Sequence, residues 1–141
     1  MVRKGSAVWQ GGLNDGKGTV STESGILSDT QYSFSSRFES GAGTNPEELL
    51  AAAHAGCFSM QFSALLGQEK LTAEKIETSA AVTIDKVEGG FGITLVHLDV
   101  KAAIPGADEE TFQKIVNKAK ESCPVSKLFN TKLTMDASLV S

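Results

Sequence analysis

The chain has 141 residues, 40% of them hydrophobic and 21% charged, and a formal net charge of -4, a size and composition that suit one domain. Its thirteen Lys and Arg are dispersed among seventeen Asp and Glu with no basic run, so nucleic acid is not expected as a partner. Residues 1–11 lack the apolar core of a signal peptide and nowhere do about 18 apolar residues run together, so a soluble, cytoplasmic chain with no membrane partner is expected.

In chain order, Ala7–Gln10 and Gly18–Thr22 are short extended runs joined by the turn signal Asn14-Asp15-Gly16, and they predict a hairpin. Tyr32–Phe38 continues the alternation as a strand. Its Tyr32, Phe34, Ser36 and Phe38 share one face, and Ser33, Ser35 and Arg37 the other. Gly41 and Gly43 end that strand, Thr44 or Asn45 caps, and Pro46 opens a helix. From Glu47 to Leu66 this helix is apolar nearly all round, the pattern of a helix buried on most sides. Glu47, His54, Ser59 and Gln61 make it too polar for a membrane span. Ser79–Lys86 and Phe91–Ile104, either side of Gly89-Gly90, predict a second hairpin. Pro105–Asp108 is a turn with an N-cap, after which Phe112, Ile115, Val116 and Ala119 recur at helical spacing up to Cys123-Pro124. Leu133–Val140 returns as a strand. The order implies an α+β single domain over residues 1–141, with helices gathered against antiparallel sheet.

A domain of this size hides roughly two-thirds of its unfolded surface and folds without disulfide staples. Its two cysteines, Cys57 and Cys123, lack the CxxC spacing of zinc or thioredoxin-like sites. In a reducing cytosol such a pair is either core filler or transiently redox-active.

The stretch Thr44–Met60, TNPEELLAAAHAGCFSM, closely resembles the signature of the OsmC/Ohr family of hydroperoxide reductases, as does Cys123-Pro124-Val125-Ser126, whose cysteine lies sixty-six positions after Cys57. Gly18–Gly25 and Asp85–Phe91 are similar to the same family, so the likeness runs almost end to end. It implies antiparallel sheets wrapped around two central helices in an intertwined homodimer. It also implies a cysteine-based peroxidase acting on organic hydroperoxides and hydrogen peroxide in oxidative or osmotic stress defence, with no metal or organic cofactor. In that scheme Cys57 attacks the peroxide, Cys123 closes a disulfide on the resulting sulfenic acid, and an external dithiol of lipoyl type reduces it. Ohr-like members carry the active-site arginine in the first glycine-rich loop, OsmC-like members on a following strand. Here that loop, Gly11–Gly16, has no arginine and the chain has only Arg3 and Arg37, which assigns the role to Arg37 and the chain to the OsmC branch. Glu47 resembles the family's acidic partner of that arginine.

Chemistry supports the same roles. A thiolate is the attacking species, and apolar neighbours such as Ala53, Ala55, Phe58 and Met60 raise a thiol's pKa. A cation must offset that. Arg37 stays charged when desolvated and its planar fork donates in two directions. A sulfenic acid at Cys57 over-oxidises unless a thiol such as Cys123 condenses with it. Pro124 disfavours helix at Cys123, which predicts a frayed, adjustable helix end there.

The same residues have plainer readings. Each cysteine alone fits core packing, an arginine on a strand fits the solvated surface, and Glu47 and Glu48 complement a helix dipole. His54, three residues before Cys57, reads as a hydrogen-bonded interior histidine rather than a Cys-His pair, and His97 as a structural strand residue. Trp9 and the phenylalanines serve the core, a dimer contact or an apolar channel for organic peroxides. Competing functions are a module that binds a small hydrophobic ligand and senses oxidation through its cysteines, and a zinc-stabilised structural protein. Ten residues separate Glu47 from Cys57, about 15 Å along one continuous helix. Either the helix breaks between them, or Arg37 and Glu47 reach a given Cys57 wholly or partly from a partner chain.

Overall fold

The structure is a computed structural model that describes residues 1–140, and the chain divides into two units, one spanning Met1–Leu49 and the other running from Leu50 onward. In the first unit, β1 (Gly5–Gln10), β2 (Lys17–Thr22) and β3 (Thr30–Tyr32) form an antiparallel sheet in the order β1-β2-β3. Gly18 lies opposite Trp9 on one side and Tyr32 on the other. Those two rings sit 5.4 Å apart, and a Cβ at position 18 would run into both. Glycine is what lets the aromatic pair close over the strand.

Beyond Tyr32 the expected strand is absent. Residues Phe34–Phe38 form a short helix, α1, and Arg37 stands on it rather than on a strand. Two local features explain the difference. Ser33 and Ser36 form a reciprocal capping box, Ser36 N–H donating to Ser33 Oγ at 3.2 Å and Ser33 N–H to Ser36 Oγ at 2.8 Å, which satisfies two otherwise orphaned donors. Phe34 and Phe38, four apart, also stack with ring centroids at 5.0 Å. A spacing of four fits the two-residue period of a strand and the facing positions of a helix alike.

Helix α2 (Pro46–Gln68) is unbroken and begins at the expected proline. Asn45 is its cap, accepting from Glu48 N–H at 2.8 Å. Gly43, at φ +112°, brings the chain so close to the Gln31 carbonyl that a side chain would collide with it.

The second unit holds most of α2 with β4 (Lys75–Val87), β5 (Gly90–Ala103), α3 (Glu109–Ser122), α4 (Pro124–Leu128) and β6 (Lys132–Leu139). β4 and β5 form the predicted hairpin, Val87 pairing with Gly90 across Glu88-Gly89, with a bulge between Thr83 and Ile84. β6 pairs with β5 in parallel, Leu98 opposite Met135 and Val100 opposite Ala137, so the expectation of purely antiparallel sheet is corrected. The helices α3 and α4 lie between β5 and β6 in sequence and carry the chain back to the end where β5 began, the crossover a parallel pair requires.

Alternate residues of β5, Val96, Leu98, Val100 and Ala102, are buried. Three of them, with Phe58, Phe62, Leu65 and Leu66 of α2 and Phe112, Ile115, Val116 and Ala119 of α3, make the core. Each such Phe or Leu contributes about 1.5–3 kcal/mol by leaving water. The fold is α+β. α2 is long and apolar enough to cross a membrane by length and composition, yet one side of it is built into this core. Its other side departs from the expected burial on most faces: Ala53, Gly56, Met60, Ala64 and Gly67 are exposed, Met60 to 77%.

Candidate active site

In the first unit the structure joins two of the predicted residues. Arg37 Nε donates to Glu47 Oε1 at 3.0 Å and Oε2 at 3.3 Å, and Nη2 donates to Oε1 at 2.8 Å. Glu47 is buried, whereas the Arg37 side chain is about a third exposed, and its guanidinium lies 5.0 Å from the centre of the Phe38 ring. The carboxylate thus holds one edge of the fork and leaves Nη1 without a bond to the protein among the described residues. A pair of this bidentate form orients the guanidinium as well as neutralising a buried charge.

The placement is local. Buried Ser36 donates its hydroxyl to the Thr44 carbonyl at 2.7 Å, and Asn45 Nδ2 donates to the Ser36 carbonyl at 3.1 Å. These bonds tie α1 to the first turn of α2, and with it Arg37 to Glu47. Sequence reading missed Ser36, since its pattern as a strand residue gave it no partner; the Ser-x-x-Ser spacing was the available signal. The same unit has an open, mainly apolar hollow lined by Trp9, Leu13, Tyr32, Phe34, Phe38 and Arg37.

In the second unit Cys57, half-buried on α2, neighbours fully buried Cys123. Burial pushes the Cys57 thiol up. The Val125 amide, donating to its sulfur, pulls the other way, and the adjacent Cys123 side chain raises it further. The two sulfurs are not joined in a disulfide. Cys123 does not sit at a frayed end, as the proline had suggested. It closes α3, its N–H donating to the Ala119 carbonyl at 2.9 Å, and opens α4, its carbonyl accepting from Lys127 N–H at 3.0 Å. Its φ of -59° and ψ of 125° are those Pro124 imposes on its predecessor, and Pro124 takes the first position of the next helix. The proline fixes a junction.

His54 is a hydrogen-bonded interior histidine, as expected: fully buried, with Nε2 at 2.7 Å from Ser126 Oγ and held neutral by burial, which lowers its pKa. His97 lies on β5 with Nδ1 on the Thr134 hydroxyl and Nε2 at 3.5 Å from Asp99 and 3.2 Å from Asp136. Those three form the group of close metal-ligand types among the described residues; it includes neither cysteine, so the zinc reading built on Cys and His gains no support from it.

The family model described as OsmC-like protein matches residues 39–138. Peroxiredoxin OsmC of Escherichia coli (strain K12) is 50% identical over 139 residues, 99% of this chain and 97% of that protein. Organic hydroperoxide resistance protein OhrB of Bacillus subtilis (strain 168) is 33% identical over 113 residues, 78% of this chain and 79% of that protein. The crystal structure of OhrB of Bacillus subtilis superposes with a TM-score of 0.72 at 28% identity, covering 97% of this chain and 98% of that one. With the two cysteines in contact and an arginine clamped by Glu47, these matches settle the family: the chain belongs to the OsmC-like proteins.

Proposed function

We infer that the protein is a thiol-dependent peroxidase that reduces hydroperoxides through Cys57 and Cys123. The observation that carries this reading is the contact between Cys57, which solvent can reach, and a second, wholly buried thiol. Core filler would have no need of one half-open cysteine set against one closed one. The name peroxiredoxin on a relative at 50% identity, and that of organic hydroperoxide resistance on more distant ones, support the same chemistry.

The Cys57 thiolate attacks one peroxide oxygen, the O–O bond breaks, and the departing alkoxide takes a proton to leave as an alcohol. Sulfur is oxidised by two electrons to the sulfenic acid. Cys123 then attacks that sulfur, hydroxide leaves and is protonated to water, and the disulfide forms. An external dithiol of lipoyl type returns both thiols by exchange. Arg37 supplies the positive charge that the raised Cys57 thiol needs, and its unbonded Nη1 edge binds the peroxide oxygens while Glu47 holds the other edge. The apolar hollow beside Arg37 suits the organic half of a bulky hydroperoxide.

The active form is a cytoplasmic homodimer in which each chain acts as one domain. Two observations support it. The apolar stripe on α2 from Ala53 to Gly67 lies open in the single chain. α2 also has no break between Glu47 and Cys57, and about 15 Å of helix at 1.5 Å per residue favours the alternative in which Arg37 and Glu47 serve a partner's Cys57.

Peroxide consumption with dithiothreitol as reductant tests the reading. Cys57→Ser should abolish turnover, whereas Cys123→Ser should reduce about one equivalent and then stall or over-oxidise. Full multiple turnover by Cys57→Ser would overturn it.

A further inference from the structure

Two side-chain hydrogen bonds bracket the cysteine pair, and neither belongs to the chemistry above. His54, three residues before Cys57, meets Ser126, three residues after Cys123, at 2.7 Å. Gln61, four residues after Cys57, donates to Ser122, immediately before Cys123, at 3.0 Å. Along α2 the order is His54, Cys57, Gln61; along the facing segment it is Ser126, Cys123, Ser122. The sulfurs therefore lie between two cross-links that join the same two segments.

The His54 bond is the enclosed one. The ring is fully buried, packed at 5.2 Å from the Phe129 ring, and its Nδ1 has no hydrogen-bond partner among the described residues. Ser126 is thus the polar contact that secures the ring among the described residues. A buried polar pair of this kind holds its geometry because neither group has water to turn to. Ser126 belongs to α4, the helix that Cys123 and Pro124 begin, so the bond anchors that helix on α2 just beyond the buried thiol.

Resting on the peroxidase reading, we propose that the His54–Ser126 hydrogen bond is a positioning strut that holds Cys123 against Cys57, and so sets how often the sulfenic acid closes a disulfide before a second peroxide reaches it. The competing step is defined: a second hydroperoxide oxidises the sulfenate to the sulfinic acid and leaves as alcohol, without participation of Cys123. The strut bears on disulfide closure, in which the Cys123 sulfur forms a bond, and not on the bond made in the initial attack, in which Cys123 takes no part.

The test is the partition between these products. Reduced protein is exposed to rising cumene hydroperoxide with dithiothreitol, disulfide and sulfinic forms are separated by intact mass, and the first attack is followed by stopped flow. Ser126→Ala should raise the sulfinic fraction per turnover roughly three- to tenfold, the range one lost hydrogen bond produces, while the rate of first attack changes by less than that factor. Ser126→Thr, which keeps the hydroxyl, should return the partition toward that of the unaltered protein. Ser59→Ala is the control, since that hydroxyl also stands on α2, two residues after Cys57, but bonds to Thr78 and the Ala55 carbonyl; it should leave the partition alone. If Ser126→Ala does not fold, His54→Phe, which keeps a ring against Phe129, serves in its place with the same expectation. An unaltered partition in the strut variant, or an equal rise in Ser59→Ala, overturns the proposal. A Cys57→Ser protein that still turns over would instead remove the peroxidase reading beneath it.

Discussion

Arg37 uses the two sides of its guanidinium differently. Nε and Nη2 are spent on Glu47, which leaves Nη1 free of protein bonds among the described residues; under the proposed mechanism that edge meets the peroxide, and the charge offsets the burial that raises the thiol. Lysine could supply charge but not a fork. Arg37→Ala should therefore shift the Cys57 titration up by about one pKa unit and slow peroxide attack about tenfold at neutral pH, with Arg37→Lys in between. Iodoacetamide alkylation of Cys57 against pH, beside stopped-flow peroxide reduction, measures both. An unchanged titration in Arg37→Ala would remove the electrostatic role. Arg37 and Glu47 were named as partners from residue type and motif, but the clamp's geometry was not legible, because it depends on Ser36 and Asn45 joining the predicted long helix to a short one that the alternating pattern had concealed.

At the scale of elements, α3 shows how a cap couples to pH. Asp108 accepts from Thr111 N–H at 2.7 Å, and hydrogen bonds from the Thr111 backbone, then its side chain, hold the Asp108 carboxyl below its usual range. A carboxyl lowered by folding stabilises the folded chain above its unfolded pKa, near 4, and that contribution disappears as pH falls through the folded value. Asp108→Asn should keep the cap and lose this part of the pH dependence. Urea midpoints at pH 7 and about pH 3 would differ less in the variant than in the unaltered chain; an equal difference would mean that the cap carboxylate does not contribute. Asp108, Phe112, Ile115, Val116 and Ala119 made this helix legible in sequence, since a cap and one apolar stripe agree with each other. Residues 33–38 carried two compatible periods, and the capping box decided between them.

At the scale of the whole molecule, an apolar stripe from Ala53 to Gly67 on an otherwise core-bound helix asks for a cover. Micromolar protein should sediment as a dimer. Met60→Asp, placed on the 77% exposed methionine, should weaken that dimer by tenfold or more, because a charge buried without a partner costs on the order of a few kcal/mol. Refolding inactive Cys57→Ser with slowed Arg37→Ala subunits should raise activity above that of Arg37→Ala alone if each site draws on two chains. A fully active monomer would rule out the shared site.

The sequence by itself determined the class, the positions of the long helix and of the second hairpin, and the candidates for the reactive groups. Each of these rests on local periodicity or on a motif contained in one stretch of chain. Only the tertiary structure decided that β6 runs parallel to β5, because strand direction follows from where α3 and α4 return the chain. It likewise decided that Cys123 is locked between two helices, and that Ser126 meets His54 seventy-two positions away. Such contacts depend on how separate segments pack together, and no local pattern records which buried hydroxyl a distant histidine will find.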